Sequence, residues 1–323
     1  MEADRRRVIL ANVAAAVAAL SAGVSVVATR YVVGDTDPVS LAFYRYAVAG
    51  LCMLPLLAVL WPKDGVARIE VGKIALCGAV FYAFFPWSFS AALDFTTGAR
   101  GAIGLATIPI QTLIVAAIFG KELLSLRAIL SVLLAFCGIA SVFGPEALAA
   151  DRPDLLKGDA LMLLAGFSAA LYSVFGRPTL MRNGPLFVTA LAMVFGCLFL
   201  MPVAWSVNPD VFQPDFTVEG WVAVIFLGTL GGAIQFSLFT WALRWLPPSR
   251  TVIYLCLNPI SAMALSAAVL GESVTTILLV GLVLVLSGVL VANLKPRANP
   301  DSKPPAADEA ADPEGRAARR PAG

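Results

Sequence analysis

Polar side chains are scarce in the long apolar stretches of this chain, and those present recur at helical spacing. Tyr254, Asn258 and Ser261 follow at intervals of four and three, Thr107 and Gln111 lie one turn apart, and so do Gln235 and Phe239. Tyr82 with Phe85, Ser168 with Tyr172, and Ser21 with Ser25 repeat the pattern. Residues three or four apart share a helix face, so each set aims amides, hydroxyls or rings in one direction. Such groups donate, accept and stack, which is the chemistry of holding a small amphiphilic solute. The structural alternative is that they bind neighbouring helices, at about 0.6 kcal/mol each. The serines and Thr107 fit that second role better; for Gln111, Gln235 and Asn258 both readings stand.

Bond-breaking chemistry has less support. The chain has no histidine, and Glu122, Glu272 and Asp94 sit near the ends of apolar stretches. Membrane enzymes usually present paired carboxylates for a metal, or a histidine base. The nearest candidate, Asp151-Arg-Pro-Asp154, is two loop carboxylates without a third ligand. No metal or other cofactor is implied, and an enzyme acting on a lipid or headgroup is the weaker alternative. The cysteines Cys52, Cys77, Cys137, Cys197 and Cys256 lie within apolar stretches without metal-like spacing and read as packing residues, with no disulfide expected. Arg45 is the strong charge inside a stretch, about 10 Å past Pro38 along a helix. It either binds a solute carboxylate, or it reaches the interface along its own stem or pairs with Asp94.

The elements that must position these groups follow from composition. Apolar residues make up 59% and charged residues 14% of the chain, against roughly 25% charged in a soluble domain. Stretches of about 20 apolar residues, enough to span the hydrocarbon layer, fall near 8–29, 38–61, 72–93, 99–120 and 126–144, and again near 159–177, 185–205, 220–243, 250–270 and 275–294. The first, although preceded by Arg5, Arg6 and Arg7, runs past the length of a signal core and reads as a retained helix. Residues 295–323, rich in Pro, Ala and charge, read as a disordered tail. Trp61, Trp205, Trp221, Trp241 and Trp245 lie near stretch ends and read as an interfacial belt.

The two groups of five stretches repeat one another. Arg100, Pro109, Glu122 and Gly138 find the same residue 150 positions later, in Arg250, Pro259, Glu272 and Gly288, and Arg30, Pro38 and Pro55 match Arg177, Pro185 and Pro202 at an offset of 147. Equivalent points are separated by five stretches, an odd number, so the halves cross a bilayer in opposite senses. Inverted repeats are the build of alternating-access carriers. Pro109 and Pro259 each free a carbonyl four residues earlier, Leu105 or Leu255. Such breaks are tolerated in membranes where they face protein or water, so paired breaks point to a cavity and to hinges, packing bends being the alternative. Of the 23 Lys and Arg, 18 fall on the segments sharing a side with the amino terminus and four on the other side. The positive-inside rule then places both termini in the cytoplasm. A net charge of +2 adds no case for nucleic acid.

The run Leu41-Ala42-Phe43-Tyr44-Arg45-Tyr46, the proline-broken stretches ending in Gly120-Lys121-Glu122 and Leu270-Gly271-Glu272, and the Gly158-Asp159 opening of the sixth stretch resemble the drug/metabolite transporter superfamily. Within it the chain is similar to the ten-helix, EamA-type metabolite exporters, including amino-acid exporters, over about residues 8–294. That resemblance implies a central cavity lined mainly by helices 1, 3, 4, 6, 8 and 9, and outward movement of small metabolites, often amino acids.

The expectation is therefore an all-α integral membrane protein of ten transmembrane helices, arranged as two inverted five-helix repeats around a central cavity. Its parts are a cytoplasmic start at 1–7, repeats at 8–150 and 151–294, and a cytoplasmic tail at 295–323. It is read as a multi-pass inner-membrane carrier of a small amphiphilic solute. Tyr82, Phe85, Gln111, Tyr172, Gln235, Phe239, Tyr254, Asn258, Ser21, Ser25 and Arg45 are the solute-binding candidates and Pro109 and Pro259 the hinges. The lack of a carboxylate at mid-depth, where proton relays usually operate, favours a facilitator over a proton- or ion-coupled antiporter. Oligomeric state is left open, a monomer included.

Overall fold

A computed structural model of the chain describes residues 2–63, 65–120, 126–149, 153–242, 245, 254 and 257–293. Glu122, Arg250, Leu255, Cys256, Asp151 and the tail from Lys295 lie outside the described residues. The described part is all α. We number its long helices α1 (Glu2–Val32), α2 (Pro38–Leu60), α3 (Arg68–Phe95), α4 (Gly98–Ile118), α5 (Leu126–Ala149), α6 (Pro153–Phe175), α7 (Pro185–Val207), α8 (Val218–Ala242), α9 (Leu257–Leu270) and α10 (Thr276–Asn293). A short linking helix, Arg177–Asn183, joins α6 to α7.

Among the described residues, seven helices have the length and apolar composition to cross a membrane: α1 to α4 and α6 to α8. The described apolar parts of α5, α9 and α10, Ile129–Val142, Leu257–Leu270 and Thr276–Val291, are shorter. They fall within the fifth, ninth and tenth stretches. Two boundaries differ from expectation. Helix α1 starts at Glu2, so the basic residues expected to precede it are its first turns. Helix α6 starts at Pro153, with Asp154 in its first turn, because proline at the first helical position costs no hydrogen bond and an acid there suits the helix dipole.

Local chemistry sets several starts. Asp37 accepts from Val39 N at 3.0 Å and Ser40 N at 2.9 Å, with Pro38 opening α2. Thr97 accepts from Arg100 N and Thr217 from Gly220 N, at 3.3 and 3.1 Å. Each hydroxyl or carboxylate satisfies amide donors that the first turn cannot. Helix α3 contains a π-helical segment at Gly78–Phe84 and α8 another at Thr229–Ile234. These segments coincide under the 150-residue offset.

Packing obeys the same exchange. A Cβ added at Gly78 would lie 2.7 Å from the Ala192 carbonyl oxygen and 2.8 Å from Phe195 Cβ; one at Gly228 would lie 2.9 Å from the Arg45 carbonyl oxygen and 2.4 Å from Val48 Cβ. Only glycine permits either approach. Helices α5 and α10 meet in the same fashion: Gly138 sits against Gly281 O and Val285 N, and Gly288 against Ser131 O and Ala135 N. Small residues that admit close backbone contact are the usual basis of helix association in lipid.

Contacts of the helix ends sort into two sets. On the amino-terminal face, Glu70 takes Arg182, Asn183 and Lys73, and Tyr254 donates to Asn12. On the opposite face, Glu272 meets Arg30 and the start of α4, while Arg100 meets Asp159 and the Val142 carbonyl near the end of α5. In each set the ends of several described helices meet.

Candidate functional site

Helix α4 is interrupted rather than merely bent. Its pieces Gly98–Leu105 and Ile108–Ile118 flank a turn at Ala106 and Thr107, and Pro109 sits in the first turn of the second piece. Pro109 lacks the N–H that would bind the Leu105 carbonyl. Pro259 lies in the first described turn of α9. Both prolines line one cavity of about 210 Å³, together with Leu105, Phe239, Asn258 and Ser173. Four of the expected residues thus converge: the two prolines, Phe239 and Asn258. Among the described residues the Asn258 side-chain oxygen is buried without a hydrogen-bond partner, an unmet acceptor that costs about 1–3 kcal/mol unless something donates to it. Phe239, Ser173, Leu286 and Val289 belong to the parts of α8, α6 and α10 nearest the amino-terminal face, so the cavity is displaced toward that face.

A second group lies deeper. Phe81 and Tyr172 stack with ring centroids 4.4 Å apart, and Phe236 meets Phe81 at 5.7 Å and Tyr82 at 5.6 Å. Phe85 joins at 5.2 Å from Phe81, and Tyr46 at 5.5 Å from Tyr82. The structure brings together the expected Tyr82, Phe85 and Tyr172. Sequence reasoning left out Phe236 and Tyr46 and named Phe81 only as one of a crowd; their signal is adjacency to Gln235, Arg45 and Tyr82. Beside the rings is a polar group: Ser25 donates to the Ser21 carbonyl at 2.9 Å and lies 3.5 Å from Gln235 Oε1. Gln111 donates to Thr107 at 2.9 Å, and a Cβ on Gly166 of α6 would lie 2.8 Å from its amide nitrogen.

Two candidates differ from expectation in their partners. Arg45 is 5% exposed, donates to the Gly231 carbonyl in the α8 π segment at 2.9 Å, and has its guanidinium carbon 5.7 Å from the Tyr46 ring centroid. It neither reaches the interface nor pairs with Asp94, which is exposed at the end of α3; its stem is enclosed by the α2–α8 contact. Tyr254 packs against α1 instead of the cavity, its hydroxyl donating to Asn12 at 2.8 Å beside Ala11, Ala15 and Trp241.

The end charges also do more than anchor. Arg100 and Asp159 form a buried ion pair, 7% and 3% exposed, with the Thr96 hydroxyl 3.2 Å from Asp159. Glu272 accepts from Gly98 N at 3.1 Å and Ala99 N at 3.3 Å, with Arg30 at 3.8 Å. Its backbone donors lie at the start of α4, far from it in the chain. These contacts join helix ends on the face opposite the cavity. A larger recess of about 710 Å³ on that face is open, lined by Asp35, Asp37, Asp210 and Asp215. It lies among loops and holds none of the expected residues.

Comparison with known proteins agrees with this geometry. The model of the EamA-like transporter family matches residues 9–144 and again 156–294. The chain is 26% identical over 269 residues to the uncharacterized transporter YyaM of Bacillus subtilis, covering 82% of this chain and 87% of that one. It is 26% identical to an uncharacterized transporter of Archaeoglobus fulgidus, covering 81% and 89%. YetK of Bacillus subtilis, also an uncharacterized transporter, is 24% identical with 90% of each chain covered. A solved crystal structure superposes with a TM-score of 0.61 at 18% identity, over 87% of this chain and 96% of the other, and shares the fold. Family membership decides between transport and enzyme chemistry in favour of transport. With two family-model matches, long apolar helices and a broken-helix cavity, this multi-pass membrane protein belongs to the EamA-like transporter family and is a small-molecule transporter.

Proposed function

We propose that the chain is an inner-membrane carrier in which two inverted five-helix halves, 8–150 and 151–294, rock about a central cavity and pass a small amphiphilic metabolite, such as an amino acid, outward. Both termini, with the tail 295–323, face the cytoplasm. Pro109 and Pro259 act as hinges. Tyr82, Phe85, Gln111, Tyr172, Gln235, Phe239, Asn258, Ser21, Ser25 and Arg45 contact the solute as it crosses, while Tyr254 supports α1.

The observation that carries this reading is the convergence of the α4 break at Pro109 and of its repeat mate Pro259 on one cavity, combined with contacts that exchange between the halves at offsets of 147 and 150. A symmetric frame with a break in each half can close one face as it opens the other. Transport runs down the solute's own gradient, a reading supported by a cavity lining with no acidic side chain among the described residues.

The test is flux in proteoliposomes across a panel of amino acids and related metabolites. Gln111→Leu, Gln235→Leu and Asn258→Leu are each expected to reduce or retune transport while leaving expression intact; wild-type rates in all three would place the path elsewhere. Solute accumulation driven by an imposed proton gradient alone would defeat the facilitator reading.

A further inference from the structure

Arg45 raises a question that the carrier reading leaves open. Among the described residues no acidic side chain pairs with it, its one hydrogen bond goes to a neutral carbonyl, and its Nε is buried without a partner. Burying a cation costs several kcal/mol unless charge and hydrogen bonds repay it.

The fold contains its own control for a packing role. Ala192 holds the position equivalent to Arg45, and its carbonyl receives Gly78 just as the Arg45 carbonyl receives Gly228. The neighbouring helix at that contact carries the equivalent π segment, Gly78–Phe84. Helix contact and π segment therefore both form without a guanidinium. The cation answers some need that its symmetry mate does not have.

We infer that Arg45 binds the carboxylate of the solute, which takes the guanidinium from the Gly231 carbonyl. This deepens the carrier reading and rests on it. Hydrogen bonds from arginine to a carboxylate are roughly twice as strong as those to a neutral acceptor, so the exchange runs in the solute's favour. Glycine at 231 lets Ser25 pack against this stretch of backbone, since an added Cβ would lie 2.3 Å from Ser25 Oγ. The solute's apolar or aromatic body has the Tyr46–Tyr82–Phe236 rings beside it, their centroids 5.5 and 5.6 Å apart. Among the described residues this cluster holds a cation and no carboxylate, so it neutralises an anion and offers an ammonium group amide, hydroxyl and carbonyl oxygens. The favoured class is an organic carboxylate of net negative charge, ahead of a zwitterion. Losing the Arg45 bond also releases the α8 π segment from α2, which couples occupancy to movement of that helix.

Binding to the purified full chain in detergent, followed by thermal shift, tests this with acid–amide pairs: phenylacetate against phenylacetamide and hexanoate against hexanamide. Each acid is expected to stabilise the protein at a concentration about tenfold or more below its amide. Arg45→Gln removes that preference and Arg45→Lys keeps part of it. Equal binding of acid and amide by the unaltered protein, binding of neither acid, or a preference surviving in Arg45→Gln overturns the inference. If Arg45→Gln does not fold, the acid–amide comparison on the unaltered protein decides alone. Acid binding without flux in proteoliposomes would count against the carrier reading and leave Arg45's role standing. Flux of neutral solutes that Arg45→Gln leaves unchanged, with no acid preference, would do the reverse.

Discussion

Replacing Asp159 by Ala leaves the buried Arg100 guanidinium without its carboxylate. In the intact protein the carboxylate accepts from Arg100 Nε at 3.3 Å and from a terminal guanidinium nitrogen, while Arg100 also donates to the Val142 carbonyl at 2.9 Å. Both side chains are below 10% exposed, at 8% and 4%, so water cannot replace the lost partner. Removing one member of such a pair costs about 3–5 kcal/mol, a large share of the roughly 5–15 kcal/mol that holds a typical fold. Arg100→Met should cost a comparable amount by removing the guanidinium from the buried carboxylate. The double variant Arg100→Met with Asp159→Leu removes both charges and should cost less than the sum of the singles, with a coupling of about 2 kcal/mol. Unfolding by SDS titration in mixed micelles, followed by tryptophan fluorescence, measures all three. Asp159→Ala within about 0.5 kcal/mol of the unaltered protein, or additive singles, would refute the claim that this pair holds α4 to α5 and α6.

Glu272→Gln weakens the tie between α9, α4 and Arg30, and is expected to raise the labelling rate of a cysteine introduced at Thr97 by a membrane-impermeant reagent added from the opposite face. Labelling of Ser173→Cys, on the cavity, should proceed from the amino-terminal face and slow when transported solute is present; labelling from the other face alone would contradict the cavity's displacement. Gly78→Ala and Gly228→Ala occupy equivalent contacts, so each should destabilise by about 1–3 kcal/mol through overpacking, and unequal costs in micelle unfolding would argue against the equivalence. Impermeant labelling of a cysteine appended after Gly323 should require access to the cytoplasmic side of oriented vesicles.

Much of the architecture is legible in the sequence because the lipid imposes simple rules. Apolar length reports the helices, since a backbone in hydrocarbon must satisfy itself. The 150-residue offset reports the symmetric contacts, and Pro109 reports the break in α4, because a missing N–H acts locally whatever the surroundings. Helical spacing pairs Tyr82 with Phe85, whereas in the structure Phe85 meets Phe81, with ring centroids 5.2 Å apart, at the end of the π segment. Spacing says nothing of which neighbour a face meets, so Phe236 and Tyr46 escape, and Tyr254 is assigned to a cavity although its helix turns it toward Asn12. Gly78 and Gly228 stand at the repeat offset and are the available signal for the π segments, which no periodicity rule announces.

Residue types and spacings by themselves therefore determine the membrane solvent, the apolar stretches, the internal repeat and the break in α4, because each depends on hydropathy or on covalent geometry within a few residues. Partnership is decided by the tertiary structure alone. Glu272 reaches Gly98, Arg100 reaches Asp159 and Arg45 reaches Gly231 across separations of 174, 59 and 186 residues. Electrostatics and hydrogen bonding act over a few ångströms, and only the rotation and approach of packed helices set which groups come that close.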